Sequence, residues 1–172
     1  KSTYATAAFK TTRLINGHTI ENVGKGVLDV KISHRFGKIN GGAYELFGLD
    51  NASMRMGLDY GITRYLMVGI GRSTFQKTLD AFFKLKILRQ SSGKRNMPIT
   101  LSYVPTIAYK TLKDENPDRK NYFSSKLIYT HQLIIGRKFS EATSLQLMPT
   151  VTHVNLVQLQ TDPNDLVSIG IG

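Results

Sequence analysis

Charged side chains stand at alternate positions of several apolar segments, an arrangement that could gather them into one cluster inside the fold. Charges of opposite sign would pair there, because a buried charge needs a partner. Cations along an open passage would instead favour anions. Asp29, Asp59 and Asp80 could also act as catalytic acids or bases, but no Ser/His/Asp arrangement accompanies them. The predicted cluster is Asp29, Lys31, Arg35, Arg55, Asp59, Asp80, Lys84, Lys86 and Lys126.

The histidines are the other candidates for chemistry. The chain has four, His18, His34, His131 and His153, and none stands at the spacing of a metal site with another His or an acidic residue. It has no Cys, which excludes a disulfide framework, a thiolate zinc site and a cysteine nucleophile. Residues 69–71 read Gly-Ile-Gly like the start of a dinucleotide-binding loop, but no helix follows. We therefore predict no cofactor, no metal and no enzymatic activity.

The segments that carry these residues alternate between apolar and polar side chains with a period of two, which is typical of β-strands. No segment of comparable length has a helical period. We predict an all-β fold, an antiparallel up-and-down barrel of which about eight strands are visible. The predicted strands lie within residues 26–37, 52–62, 65–75, 79–89, 98–109, 123–138, 143–157 and 166–172.

The length of these segments favours strands that cross a membrane. Most have roughly 10 to 15 residues, whereas globular strands average about 5 to 6 and tilted transmembrane strands need about 9 to 11. Their polar faces mix charges with Gly and Ser, as a barrel lumen does. We predict a bacterial outer-membrane barrel. The residues expected to face lipid are Leu28, Val30, Ile32, Met54, Met56, Leu58, Leu66, Val68, Ile70, Phe83, Leu85, Ile87, Leu133 and Ile135.

The 172-residue chain has the length of about one domain. We predict a single barrel domain over residues 1–172, truncated at both ends, in which residues 1–25 form an extension or a partial strand. A turn signal stands at Asn16-Gly17. Joins after even-numbered strands are mostly tight and the others mostly long, as in outer-membrane barrels. The turns at Thr63 and Glu141 are therefore expected on the periplasmic side.

The chain is strongly basic, with 23 Lys+Arg against 12 Asp+Glu and a formal net charge of +11. Such an excess raises the question of nucleic-acid binding. No motif of a known nucleic-acid fold is present, however, and basic pairs such as Lys94-Arg95 lie in the predicted joins. We expect membrane lipid, including anionic headgroups, as a partner, together with other outer-membrane or periplasmic proteins, and no nucleic acid.

Several segments carry a family resemblance: residues 9–37 (FKTTRLINGHTIENVGKGVLDVKISHRFG), 40–50 (NGGAYELFGLD), 54–57 (MRMG) and 66–75 (LMVGIGRSTF). Together they resemble an uncharacterised family of Gram-negative outer-membrane-type β-barrels, a domain of unknown function. The resemblance covers most of residues 8–90 closely and the remainder loosely. It implies a longer barrel and supplies no activity and no site residues.

Three functions stay open at this point. The favoured one is a structural or accessory component of a membrane assembly, whose lumen is filled by paired charges. The second is a passive channel or small-solute transporter with an anion-biased lumen. The third is a soluble lipocalin-like barrel that binds lipid, in which Leu28 and Met56 would point inward around a ligand and the charged faces would meet water.

Overall fold

The computed structural model describes residues 2–112, 122–157 and 161–172. This part of the chain is built of β-strands and three short 3-10 segments, the latter at Ile39–Gly48, Phe75–Lys77 and Phe123–Lys126. Within the described ranges, no helix is long and apolar enough to span a membrane. The strands are β1 (Ser2–Tyr4), β2 (Arg13–Leu14), β3 (Gly17–His18), β4 (Leu28–Arg35), β5 (Ser53–Gly61), β6 (Leu66–Ser73), β7 (Thr78–Leu88), β8 (Ser91–Gly93), β9 (Thr100–Lys110), β10 (Leu127–Lys138), β11 (Ser144–Val154) and β12 (Asp165–Ile171).

Eight of the strands form one antiparallel sheet in the order β12-β11-β10-β9-β7-β6-β5-β4. Each strand pairs with the next long strand of the chain, so the topology is up-and-down. The predicted all-β antiparallel architecture is therefore confirmed. Among the described residues, β4 and β12 form the two edges and are not paired with each other, so the sheet is not closed.

Two of the joins are tight turns held by hydroxyl groups. In the join from β5 to β6, Thr63 Oγ1 accepts hydrogen bonds from the backbone N–H groups of Tyr65, at 3.1 Å, and Leu66, at 3.0 Å. In the join from β10 to β11, Ser140 Oγ accepts from the N–H of Thr143 at 3.1 Å. Short hydroxyl side chains favour such turns because they satisfy backbone donors locally. Both turns lie at the same end of the sheet, which we call the tight-turn end.

The two faces of the sheet reverse the usual distribution of polar and apolar side chains. On the outer face Val30 is 61% exposed and Ile32 is 62% exposed, whereas Asp59 and Lys84 on the inner face are fully buried. The structure places all the residues expected to face lipid on the outer face; Met54, Leu66, Val68 and Ile135 are half-buried there and the others are exposed. An apolar surface of this extent fits a lipid environment.

This orientation does not fit the lipocalin-like alternative. That fold would need Leu28 and Met56 inside, around a ligand, but they are 56% and 52% exposed. The reason is the register: Leu28 pairs with Tyr60, and Met56 with Ile32, in one outward-facing set of side chains. The inner face carries the charged residues and the outer face the apolar ones, which is the reverse of the arrangement that a soluble lipid-binding barrel requires.

Residues 2–27 begin at the tight-turn end, enter the space beside the inner face and return, and we call them the N-terminal plug. β1 pairs with β8 at the tight-turn end, with Tyr4 opposite Ser91. The chain then enters the sheet's interior and turns back through the β2–β3 hairpin, in which Arg13 is opposite His18. It returns to the tight-turn end, where Gly26 N donates to Gly61 O at 2.7 Å, before β4 begins.

The hairpin differs from the predicted turn by one residue. Its two-residue loop is Ile15-Asn16, rather than Asn16-Gly17, because Leu14 pairs with Gly17. Ile15 takes the positive φ that this loop requires, 53°, and its side chain is 93% exposed. Over the described residues 2–25, the expected extension or partial strand is a folded segment that contains two short strand pairings and no long strand.

The core lies between the plug and the sheet. Ile20 and Val23 of the plug pack against the inner-face side chains and are 2% and 7% exposed. The sheet curls around the plug, because the β2–β3 hairpin contacts both of its halves. Arg13 reaches Asp59 on β5, and the carbonyl of His18 accepts from Gln146 Nε2 on β11 at 3.0 Å. The buried partners from the sheet are Met67, Phe82, Val104, Ile134 and Met148.

Candidate functional site

Asp59 is the centre of the inner-face charges. Its carboxylate is fully buried, and Oδ2 lies 3.3 Å from Arg13 Nη2 and 3.3 Å from Lys31 Nζ. Lys31 also forms an ion pair with Asp29. Asp29 and Asp59 are direct cross-strand neighbours, a placement in which like charges repel. The two cations offset that repulsion, and Arg13 thereby fastens the plug to the wall of the sheet.

A second ion pair spans two strands of the wall. Arg55 Nε on β5 donates to Asp80 Oδ1 on β7 at 2.9 Å, and Nη2 pairs with Oδ2. This two-pronged geometry is the strong form of an arginine–carboxylate pair. The guanidinium passes over Gly71 of the intervening strand, where a Cβ would overlap it. Gly71, which resembles part of a nucleotide loop in the sequence, therefore makes room for an ion pair.

Lys84 and Gln146 hold the backbone of the plug. The ammonium of Lys84, fully buried, donates to the carbonyl of Thr19 at 3.1 Å and to that of Glu21. Gln146, also fully buried, accepts from Ile20 N–H at 3.3 Å through Oε1. Buried backbone groups need such partners, because leaving them unpaired is costly. The wall of the sheet thus supplies partners that the irregular plug cannot supply for itself.

The remaining residues of the predicted cluster take different positions. Lys86 is half-buried on the inner face of β7, and Arg35 is exposed at the end of β4. Lys126, expected in the lumen, lies in the 3-10 turn before β10, where Nζ donates to the carbonyl of Leu112 at 3.1 Å. The turn carries Lys126 beyond the strand, so the alternation that predicted its direction does not extend to it.

The four histidines are separate from one another. His34 is exposed on the outer face, His131 Nδ1 lies 2.7 Å from Tyr103 Oη, and His153 Nδ1 lies 2.7 Å from Asp165 Oδ1. His18 alone belongs to the plug and is buried beside the charges. Over residues 2–112, 122–157 and 161–172, no three His, Asp or Glu side chains converge as a metal site requires.

His18 is held in its neutral form. Burial, with the cations Arg13 and Lys84 nearby, lowers the pKa of this plug residue well below its ordinary value. Its Nε2 lies 2.7 Å from Arg13 Nη1, which can only donate, so Nε2 accepts. The ring meets Phe82 edge-on, with centroids 4.5 Å apart. A proton on His18 would remove this acceptor and add a cation next to two others.

Acidification is therefore expected to loosen the plug. The imidazole of a released His18 has an ordinary pKa near 6.5, and the pKa of the docked imidazole is lower. Between these two pKa values the released state binds more protons than the docked state. A fall in pH through this range therefore favours release of the plug. Intrinsic amide exchange slows as the pH falls, so the quantity to compare is the protection factor, which corrects for that effect. The protection factors of the Thr19 and Ile20 amides should fall from pH 7.5 to pH 5. In His18→Gln, which accepts from Arg13 without titrating, this loss of protection should disappear; its persistence would contradict the assignment.

The space left inside the sheet is small and polar. A cavity of about 240 Å³ lies beyond the tip of the β2–β3 hairpin. This volume is below the roughly 300 to 1,000 Å³ of typical ligand pockets. The lining includes Arg35, Arg55, Thr106, Thr130 and Gln132. The wall of this cavity carries the cations Arg35 and Arg55, and the plug borders its other side.

Sequence reasoning missed Arg13 and Gln146 as members of this site. Gln146 stands on the polar face of its alternating segment. That pattern predicts that its side chain points inward, but it does not identify the group that the side chain binds. Arg13 precedes a turn signal, which predicts a surface loop more readily than a buried ion pair. No local pattern connects the two, because 133 positions separate them in the chain. Only the return of the plug into the sheet brings Arg13 to Asp59 and brings His18 and Ile20 to Gln146.

Comparison with known proteins agrees with this architecture. No curated protein and no solved structure matches the chain. A family match does exist, and it extends over residues 9–172, which includes most of the plug and all the strands of the eight-stranded sheet. The chain belongs to the family described as the membrane bound beta barrel domain DUF5777, a domain of unknown function.

Proposed function

We propose that this membrane β-barrel is a structural or accessory component of a membrane assembly, with a lumen that its own N-terminal plug keeps closed. The observation that carries the proposal is the way in which the plug is fastened. Lys84 and Gln146 bond its backbone, and Asp59 bonds its Arg13. A segment held by three buried polar residues of the wall is suited to closing a passage.

The charges of the lumen support the same conclusion. Asp29, Asp59 and Asp80 each pair with a cation of the inner face or the plug. Carboxylates engaged in this way compensate the buried cations and are not free to act as acids or bases on a substrate. The proposal accordingly includes no enzymatic activity and no cofactor.

The location we propose is the bacterial outer membrane. The long antiparallel strands and the exposed apolar face support a barrel of the kind found there. At the tight-turn end, Arg64, Lys94 and Arg95 are exposed, with Glu141 as the acidic residue of these joins. In the orientation we expect, this end faces the periplasm. Its positive charge suits an acidic protein surface as the partner of an accessory barrel.

A channel is the second candidate, because cations line the remaining cavity. Arg35 and Arg55 border it, and Lys31 stands at its wall. These residues would favour anions if the plug left the lumen. The two functions therefore differ in one testable respect, which is whether the plug stays in place.

Conductance measurements separate the two candidates. The full-length barrel, inserted in a planar bilayer, is expected to give no steady current. Removal of residues 1–24 should produce steady, anion-selective steps, whose selectivity falls when Arg55 is replaced by Glu. A shift in gel mobility on boiling, together with recovery in the outer-membrane fraction, verifies folding and location. Conductance steps of equal size from the intact and the shortened barrel would overturn the proposal that the plug closes the lumen.

A further inference from the structure

The outer face carries a groove that crosses six strands, β4, β5, β6, β7, β9 and β10. Its volume is about 600 Å³, within the range of ligand pockets. Its lining is almost wholly apolar. Two charged residues border it, Arg72 near the end of β6 and Asp80, whose carboxylate is paired with Arg55 on the inner face. Phe123, from the turn before β10, forms part of its wall and packs on Tyr109, with ring centroids 4.6 Å apart. The groove lies on the surface that faces lipid.

The strand register resolves the groove into two rows of side chains. The first row, nearer the end opposite the tight turns, follows the pairs Met56–Arg72, Arg72–Leu79, Leu79–Tyr109 and Tyr109–Leu127. The second row, two residues nearer the tight-turn end on each strand, follows the pairs Val30–Leu58, Leu58–Ile70, Ile70–Ala81 and Ala81–Ile107. Ala81 is the small side chain in the middle of the second row. Its size leaves the depression between its larger neighbours.

Arg72 is a cation on this apolar face, and it lies in the row closer to the membrane surface. It is exposed, and it makes no side-chain hydrogen bond, ion pair or ring contact with the described residues. A long cationic side chain in this position extends its head toward the headgroup region. The groove therefore has a positive group at its outer end and an apolar depression at the depth of acyl chains.

We propose that this groove binds one anionic, phosphate-bearing membrane lipid, with its phosphate at Arg72 and an acyl chain over Ala81. The polarity of the site matches that of the lipid from end to end, because charge lies at the surface row and apolar surface lies deeper. A guanidinium recognises phosphate through paired N–H donors. A second protein copy would need an opposing acidic group at Arg72, and on the outer face no Asp or Glu neighbours it by register.

Fluorescence quenching by brominated lipids tests the site. The chain has no Trp, so a single Trp introduced by Phe123→Trp reports on the groove without background. The full-length protein is reconstituted in phosphatidylcholine vesicles that contain dibrominated phosphatidylglycerol or dibrominated phosphatidylcholine. We expect about a fivefold preference for the anionic lipid at this position, the factor contributed by one Arg near a headgroup. Leu133→Trp, on the outer face of β10 away from the groove, should show no preference.

Two further substitutions identify the residues responsible. Arg72→Gln should abolish the preference at the Phe123→Trp reporter, and Arg72→Lys should retain most of it. Arg64→Gln, an equivalent loss of charge in an exposed turn at the other end, should leave it unchanged. Ala81→Leu should weaken quenching by both lipids, because it fills the depression. Equal quenching by the two lipids, a preference insensitive to Arg72→Gln, or a groove shielded by a second copy in cross-linking would each overturn the proposal.

Discussion

Asp59→Asn is expected to release the N-terminal plug while the sheet remains folded. The substitution removes the buried carboxylate that Arg13 and Lys31 share. Two cations then face each other with less compensation, and the new amide adds donors beside groups that only donate. Losing one partner of a buried ion pair costs about 3 to 5 kcal/mol. The plug is the part that can move away, because Arg13 belongs to it.

Hydrogen exchange measures this release. The amides of Thr19 and Ile20 are bonded to Thr12 O and Gln146 Oε1 in the docked plug. In Asp59→Asn their exchange should accelerate roughly 100- to 5,000-fold, the factor that corresponds to that free energy. Amides in the middle of β6 and β7 should change much less. Unaltered exchange at both plug amides would contradict the role given to Asp59.

Asp29→Asn is the matched control. Asp29 lies directly opposite Asp59 and pairs with Lys31, but its side chain is 40% exposed. Solvent screens such a pair, and exposed ion pairs contribute about 0 to 1 kcal/mol. The substitution also removes a like charge next to Asp59. We therefore expect exchange of the plug amides to change by less than about fivefold.

The strands and their faces could be predicted from the sequence because both depend on local order. A period of two fixes which side chains share a face. Lys84 between Phe83 and Leu85, for example, must point away from both, and the structure has it on the inner face with the other two exposed. The same argument fails at Lys126, because a 3-10 turn interrupts the alternation just before β10.

The partners of the inner-face charges could not be predicted in this way. Alternation gives the direction of Asp59, but several cations share that direction, and the choice among them depends on register and on the plug. Arg13 reaches Asp59 only because residues 2–27 fold back into the sheet. That segment has no long periodic pattern, and its path is determined by contacts with distant strands, such as the one between Ile20 and Gln146.

The plug also explains a feature of the inner face that membrane topology alone does not require. An empty polar lumen would be lined by hydrated side chains, yet Met67 and Ile134 on the inner face are fully buried. They pack against the apolar side chains Ile20 and Val23 of the plug. The wall and the plug thus form one core, and substitutions that separate them should affect closure before they affect the sheet.

Gly61→Ala provides the most direct steric test of that idea. Gly61 ends β5, where its N–H donates to Val27 O at 3.1 Å and its carbonyl accepts from Gly26 N at 2.7 Å. A Cβ at this position would lie 2.6 Å from Val23 O and would overlap the carbonyl of Gly24. Both obstacles are backbone atoms, which cannot rotate away as a side chain can. The returning part of the plug must therefore shift for the alanine to fit.

Overpacking of this kind costs about 1 to 3 kcal/mol, so exchange of the Thr19 and Ile20 amides should accelerate roughly 5- to 150-fold. Gly24→Ala makes the same chemical change on the other side of this contact, where the new methyl would lie 3.4 Å from Val27 Cγ2. That distance is ordinary van der Waals contact, so we expect little effect. If closure depends on the plug, Gly61→Ala should also produce intermittent current in a planar bilayer, whereas Gly24→Ala should be as silent as the native chain. Equal behaviour of the two alanine variants would mean that the return of the plug along Gly61 does not hold the lumen closed.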